Sequence, residues 1–267
     1  MKIRVTNAAV ARELKHIAIA EEKLALNAES YSPLPLRAAI EEKIPAKVED
    51  ELKKAFCKAF EVVFDKGTGL IEKTISAEAL EKDFQVRDYA LDLRRSHRGL
   101  AMMEADAMFS SLVGTLVSAA EGVGLGALGI GLPDVVLFVA MVLRAAYETA
   151  LRYGFAYDTD AERLFILTLL EGAMVKGEEW TGCNGRIDAM LIRRKLPQPT
   201  AEQLSAQLRR TSDAFALDML AAKFIQGLPI VGIAGGLTNP VYYGRITRFV
   251  RMKYKKRYLL NKLNATR

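Results

Sequence analysis

The sequence predicts an all-α fold, a multi-helix bundle in which two glycine-rich apolar segments pack together. Three observations lead there. Apolar residues recur at three- and four-residue spacing, strand-like alternation is nearly absent, and helix-opening residues stand in front of the periodic stretches. A chain of 267 residues, 51% hydrophobic and 26% charged, excludes collagen-like, low-complexity and wholly disordered architectures. Its length suits one large domain, and no repeat of solenoid period runs through it.

The elements follow in order. From Asn7 to about Asn27, Val10, Leu14, Ile17 and Leu24 recur at helical spacing, and charged residues interrupt every apolar run. That stretch reads as an amphipathic helix, not a signal peptide. The YSPLPL stretch ends it, and a second segment from Arg37 is interrupted at Pro45, resumes to about Phe64 and stops at KGTG. Ser76 is placed to cap the next helix. A stretch from about Val86 to Ala120 begins charged and ends apolar.

Two later helices carry the spacing of a capping box, Thr159 with Glu162 and Thr200 with Gln203, and are expected to run to about Lys176 and Gln226. Between them, WTGCNGR reads as a turn-rich loop and KLPQPT as a proline-bounded linker. Trp180, the sole tryptophan, falls in that loop as an interfacial anchor or a packing residue. A basic, aromatic helix closes the chain.

The first glycine-rich segment is EGVGLGALGIGLPDVVLFVAMVLR, residues 121–144. Five glycines in ten positions, Gly122 and Gly126 among them, cost roughly 1 kcal/mol each against alanine if helical. Close backbone approach between helices offsets that cost, or the segment is a buried turn re-entering the core. Pro133 then suits a first helical position, and Asp134 beside it faces the positive end of the helix dipole. The second segment, FIQGLPIVGIAGGLTNPVYYG, is uncharged over 21 residues yet broken by two prolines and five glycines. It suits a re-entrant apolar hairpin or a tightly packed core helix. The uncharged runs around the first segment, 14, 12 and 9 residues long, fall short of the roughly 20 that cross a bilayer.

These segments carry a family resemblance. The first, with Tyr153, Gly154 and the helix around Glu162 to Leu170, resembles the central signature of the EcsC family. GLPIVGIAGGLTNPVYYGRITRFVRMKYKKRYL resembles its carboxy-terminal signature. The resemblance is specific over about Glu121–Leu259, so the chain divides into amino-terminal helices over 1–85 with a weak match, a core over 86–259 and a tail over 260–267. It implies an α-helical bacterial protein, linked in the founding case to an ABC-type transporter, and no established reaction. The signature positions carried over are Glu121, Gly122, Pro133, Asp134, Arg144, Tyr153 and Gly154, then Pro229, Gly232, Gly236 and Asn239.

Chemistry-bearing patterns are sparse. The two histidines, His16 and His97, cannot alone build a multi-histidine metal site, and Cys57 and Cys183 lie too far apart in sequence to form a local thiolate motif. GVGLGALG lacks the GK[ST] ending of a phosphate loop, and no GxSxG occurs. No metal, no cofactor and no catalytic residue is therefore assigned. Glu121, Asp134 and Arg144 come nearest, because each interrupts an apolar neighbourhood where a charge must be paired or neutralised. A Glu121–Arg144 pair satisfies that need, and Arg144, Glu148 and Arg152 alternatively form a ladder on a solvated stripe.

Charge is distributed more tellingly than it is summed. From Arg245 onward there are nine basic residues and no acidic one, so the rest of the chain is net acidic within an overall +6. Arg245, Arg248, Arg251 and Lys255 share one helical stripe opposite Tyr243, Ile246, Val250 and Tyr254. A basic face joined to an aromatic one suits an anionic membrane surface, or else docks its apolar side on the bundle. The expectation is a cytoplasmic protein, peripheral to the inner face of the membrane, that binds lipid through Arg245, Arg248, Arg251, Lys255 and Trp180 without chemistry of its own. A transporter is a further expected partner and nucleic acid is not. A protein-binding scaffold, or an enzyme using Glu121 and Asp134, are the alternatives.

Overall fold

In the computed structural model the residues described are 8–29, 45–64, 69, 71–72, 75–93, 133–193, 195–225 and 240–264. They form eight long helices: α1 (Ala8–Glu29), α2 (Ala46–Val62), α3 (Ala77–Leu93), α4 (Pro133–Arg152), α5 (Asp160–Met174), α6 (Gly177–Leu191), α7 (Ala201–Ile225) and α8 (Pro240–Asn264). No strand occurs among the described residues. The fold is an all-α multi-helix bundle.

Local chemistry sets the boundaries. Pro133 opens α4, where its missing N–H removes no helical bond. The Thr159 hydroxyl accepts from the Glu162 amide at 3.2 Å and starts α5. At α7 the box is complete, since the Gln203 amide donates to the Thr200 hydroxyl at 3.3 Å and the Thr200 amide to Gln203 Oε1 at 2.9 Å. Gly177, at φ 61, turns the chain from α5 into α6 in a left-handed conformation that favours glycine.

One expectation is corrected here. WTGCNGR is not a loop but the middle of α6. Trp180, Cys183, Ile187 and Leu191 recur at helical spacing and are all buried, so tertiary packing overrides the weak helix propensity of Gly182, Asn184 and Gly185. Trp180 is 6% exposed and packs in the core, the packing role of the two foreseen.

The core is a single apolar cluster reaching all eight helices. Phe215 of α7 sits at one centre of it, with Phe56 and Phe60 of α2 at ring distances of 5.5 and 5.6 Å and Phe138 of α4 at 6.0 Å. Burial of each such ring is worth about 1.5–3 kcal/mol. A second centre forms around Tyr254 of α8, edge-on to Phe165 at 5.4 Å. Beyond α4 the chain turns at Gly154, whose φ of 75 is left-handed and where a Cβ would lie 2.3 Å from the Phe84 ring. Among the described residues no helix is long and apolar enough to cross a membrane.

Candidate functional site: the carboxy-terminal helix and the end where it begins

α8 runs through the middle of the fold. Met174 of α5 meets Arg245, whereas Glu162, at the other end of α5, meets Tyr254 and Arg257, so α5 and α8 are antiparallel. The turn at 153–159 reverses α4 relative to α5, and Tyr153 packs on Tyr258 at 5.9 Å. Helices α4 and α8 therefore point the same way, with their starts at one end of the bundle. Phe138–Phe215 and Arg245–Asp218 bring the second half of α7 to that end as well.

This arrangement sets the tethers of the two glycine-rich segments. The first leads into α4 at Pro133, and the second leaves α7 at Ile225 and enters α8 at Pro240. Both are anchored to the same end. Glu121, Gly122, Gly126, Pro229, Gly232, Gly236 and Asn239 lie outside the described residues, and with them the Glu121–Arg144 pair. Asp134 occupies the second position of α4, as the dipole argument requires.

Next to this end, the Arg144 guanidinium meets Glu148 at 2.9 Å, with the side chains only 11% and 12% exposed. The i,i+4 pair exists, but its stripe is largely covered rather than solvated. Tyr243 of α8 lies close enough that burial, reinforced by the Glu148 carboxylate, raises its phenol above the ordinary value. Asp218, buried, accepts from Lys176 at 2.7 Å and Arg245 at 2.5 Å. Its neighbour Tyr242 is pushed up to about 12 by burial and by that same carboxylate.

In the second half of α8, Lys253, Lys255, Lys256, Arg257 and Lys262 are met by carboxylates from other helices. Arg257 holds both oxygens of buried Glu162 at 2.8 and 2.9 Å, while Tyr254 donates to the same carboxylate at 2.6 Å. Lys253, fully buried, reaches Glu21 of α1 together with Asn184 and Asp188 of α6. Lys256 reaches Glu21 at 2.7 Å and Asp188 at 2.9 Å; Lys255 reaches Glu13 at 2.8 Å. Lys262 bridges Asp88 and Asp92 of α3, each at 2.8 Å. Burial works against the Lys256 charge, but its bonds to Glu21 and Asp188 outweigh it and hold the ammonium above its usual range.

Of the four stripe residues expected at a lipid surface, Arg245 and Lys255 are thus engaged by the protein's own carboxylates. Arg251 is half-buried, and Arg248 is exposed. The sequence argument did not single out Glu21, Glu171, Asp188 or Asp218, which carry the buried pairing. Glu162 is expected as the capping-box partner of Thr159, but its carboxylate goes to Tyr254 and Arg257. Each is an acidic residue whose partner lies 15 to 235 positions away in sequence.

A further polar group centres on Glu171 of α5, which accepts from Arg186 at 2.6 Å and Gln207 at 2.6 Å. Cys183 beside it donates to the Thr168 carbonyl at 3.4 Å, and burial, with Glu171 adding, pushes its thiol up to about 12. That is a protonated, inert thiol rather than a nucleophile. His16 is exposed, and among the described residues no group of His, Cys, Asp and Glu is placed to hold a metal ion.

The class is therefore an α-helical bundle built around a cationic helix. Comparison with family models agrees with the sequence resemblance: residues 8–259 match the model described as the EcsC protein family, and the chain belongs to that family. The match begins at α1, so the amino-terminal helices belong to it as much as the core does. No curated relative and no solved structure matches the chain.

Proposed function

We propose that this chain is a membrane-associated protein without chemistry of its own, which meets lipid through the end of the bundle that tethers its two glycine-rich segments. The observation that supports this reading is the common anchoring of both segments where α4 and α8 begin. Both segments are uncharged over long stretches, and an apolar surface marks contact with lipid or with another protein. Arg248, exposed in the third turn of α8, adds attraction to anionic headgroups on that side.

Flotation with liposomes tests it. Leu128→Glu and Ile233→Glu place a carboxylate in each segment, and a charge held in hydrocarbon costs roughly 2.5–3.5 kcal/mol, about two orders of magnitude in partitioning. Both variants should keep their helical circular dichroism and lose vesicle binding. Full retention of vesicle binding by both would refute the reading. Loss of binding to a detergent-solubilised membrane protein, with vesicle binding absent throughout, would favour a protein-binding scaffold instead.

A further inference from the structure

Helix α1 is held to the bundle by a thin apolar seam and by charge. Among its described residues Val10 and Ile17 are buried, and Ala9, Leu14, Leu24 and Ala25 are partly buried against the core. Its carboxylates add to that seam: Glu13 takes Lys255, and Glu21 takes Lys253 and Lys256. The face of α8 beneath α1 thus concentrates three lysines within positions 253–256. On its outer side α1 exposes Ile19 and Leu26, at 41% and 57%. The helix carries more apolar surface than its seat in the bundle covers.

We propose that α1 is a displaceable cover over a face of α8 that binds anionic lipid. Phosphate headgroups of a bilayer replace Glu13 on Lys255 and Glu21 on Lys256 and Lys253, which keep their bonds to Asp188 of α6, and the released α1 lays Val10, Leu14, Ile17 and Leu24 into the same interface. The inference rests on the membrane reading above and adds to it a regulated, charge-selective contact at the opposite half of α8. Phosphate oxygens offer an ammonium the same charge-assisted hydrogen bonds as a carboxylate. Each lysine near an anionic surface gains about 1 kcal/mol. A bilayer fits better than a nucleic acid because freeing α1 exposes aliphatic side chains that hydrocarbon accepts and a polar duplex does not.

The test is hydrogen–deuterium exchange on the full chain, with and without vesicles of phosphatidylglycerol or of phosphatidylcholine, alongside flotation. With phosphatidylglycerol, the exchange of the α1 amides should change while that of the α5 amides does not; phosphatidylcholine should leave α1 as it is in solution. Glu13→Gln, which spares the more buried Glu21, should bind phosphatidylglycerol vesicles roughly fivefold more tightly, the gain of one released lysine. Unchanged α1 protection on phosphatidylglycerol in both proteins overturns the cover. If the wild type still floats in that case, and Leu128→Glu does not, the reading of the glycine-segment end survives alone. Release of α1 by duplex DNA as readily as by phosphatidylglycerol overturns the lipid assignment.

Discussion

Helices α1 and α5 both pack on α8 and both lend it carboxylates, yet they are held in different ways. In α5 the run from Phe165 to Met174 is buried, so the Glu162 pair with Arg257 and Tyr254 sits inside an apolar contact that already fixes the helix. In α1 two buried and four partly buried hydrophobic residues accompany three ion pairs, so the pairs carry a larger share of the attachment. The same chemistry therefore specifies register in one helix and adhesion in the other. Stability is expected to be uneven, with α1 opening at lower free energy than α5.

The largest effect should come from breaking the α5 contact. Glu162→Ala strands Arg257, which lies 3.9 Å from the Phe155 ring centroid, and leaves the fully buried Tyr254 hydroxyl without its acceptor. Removing one partner of a buried pair costs about 3–5 kcal/mol. Urea unfolding followed by the fluorescence of Trp180 should show a midpoint lowered accordingly. A loss under about 1 kcal/mol would mean that the pair is solvated and that the contrast with α1 is unfounded.

This contrast was only partly legible in the sequence. Features that depend on neighbours three or four positions away were readable: Pro133 opening α4, Thr159 and Thr200 capping α5 and α7, and the amphipathic α1. The helicity of α6 is masked locally by Gly182, Asn184 and Gly185, whereas the spacing of Trp180, Cys183, Ile187 and Leu191 is the packing signal that reveals it. The basic stripe was seen, and its partners were not. Lys255 meets Glu13 and Arg245 meets Asp218 across separations of 242 and 27 residues, and no local pattern encodes such pairs. One global sign was present: a net-acidic stretch before Arg245 followed by nine cations is what an internal charge match requires as much as an external one.

Alkaline pH separates the two regions next. Cys183 is held at about 12 against an ordinary 9.0, first by burial and then by Glu171. A raised value means that the native state keeps a proton the unfolded chain releases, so stability is full below about pH 9 and falls as pH rises toward the folded value. Between about pH 9 and about pH 10.5 the loss from this thiol is roughly 2 kcal/mol. Buried tyrosines such as Tyr254 act in the same direction from their own ordinary 10.0 upward, so the wild type is compared with Cys183→Ala, whose slope should be shallower by one proton. The α1 attachment fails later, since Lys256, raised above 10.5, loses its charge only beyond that pH. Equal slopes for the two proteins would show that the thiol reaches solvent.

A smaller effect sharpens the account of how α5 is set. Thr159→Ala removes the hydroxyl that accepts from the Glu162 amide and should cost about 1 kcal/mol, read as a shift in thermal midpoint. Thr159→Ser should restore most of it, because the capping oxygen returns. Failure of serine to rescue would assign the loss to packing of the threonine methyl rather than to the cap.

The smallest global effect is expected in α1, and there the local and global readouts should part. Glu13→Gln removes the charge from one of the three ion pairs while keeping the volume of the side chain, so no space opens beside Lys255. Unfolding monitored at Trp180 should move by about 1 kcal/mol or less, because the glutamine oxygen still accepts from Lys255. Exchange of α1 amides should nevertheless accelerate severalfold, and more so in high salt, which screens pairs near solvent and leaves apolar contacts intact. The α5 amides should not respond to either change. If α1 and α5 instead lost protection together, the two helices would belong to one cooperative unit, and the ion pairs of α1 would be holding the whole bundle rather than one removable part of it.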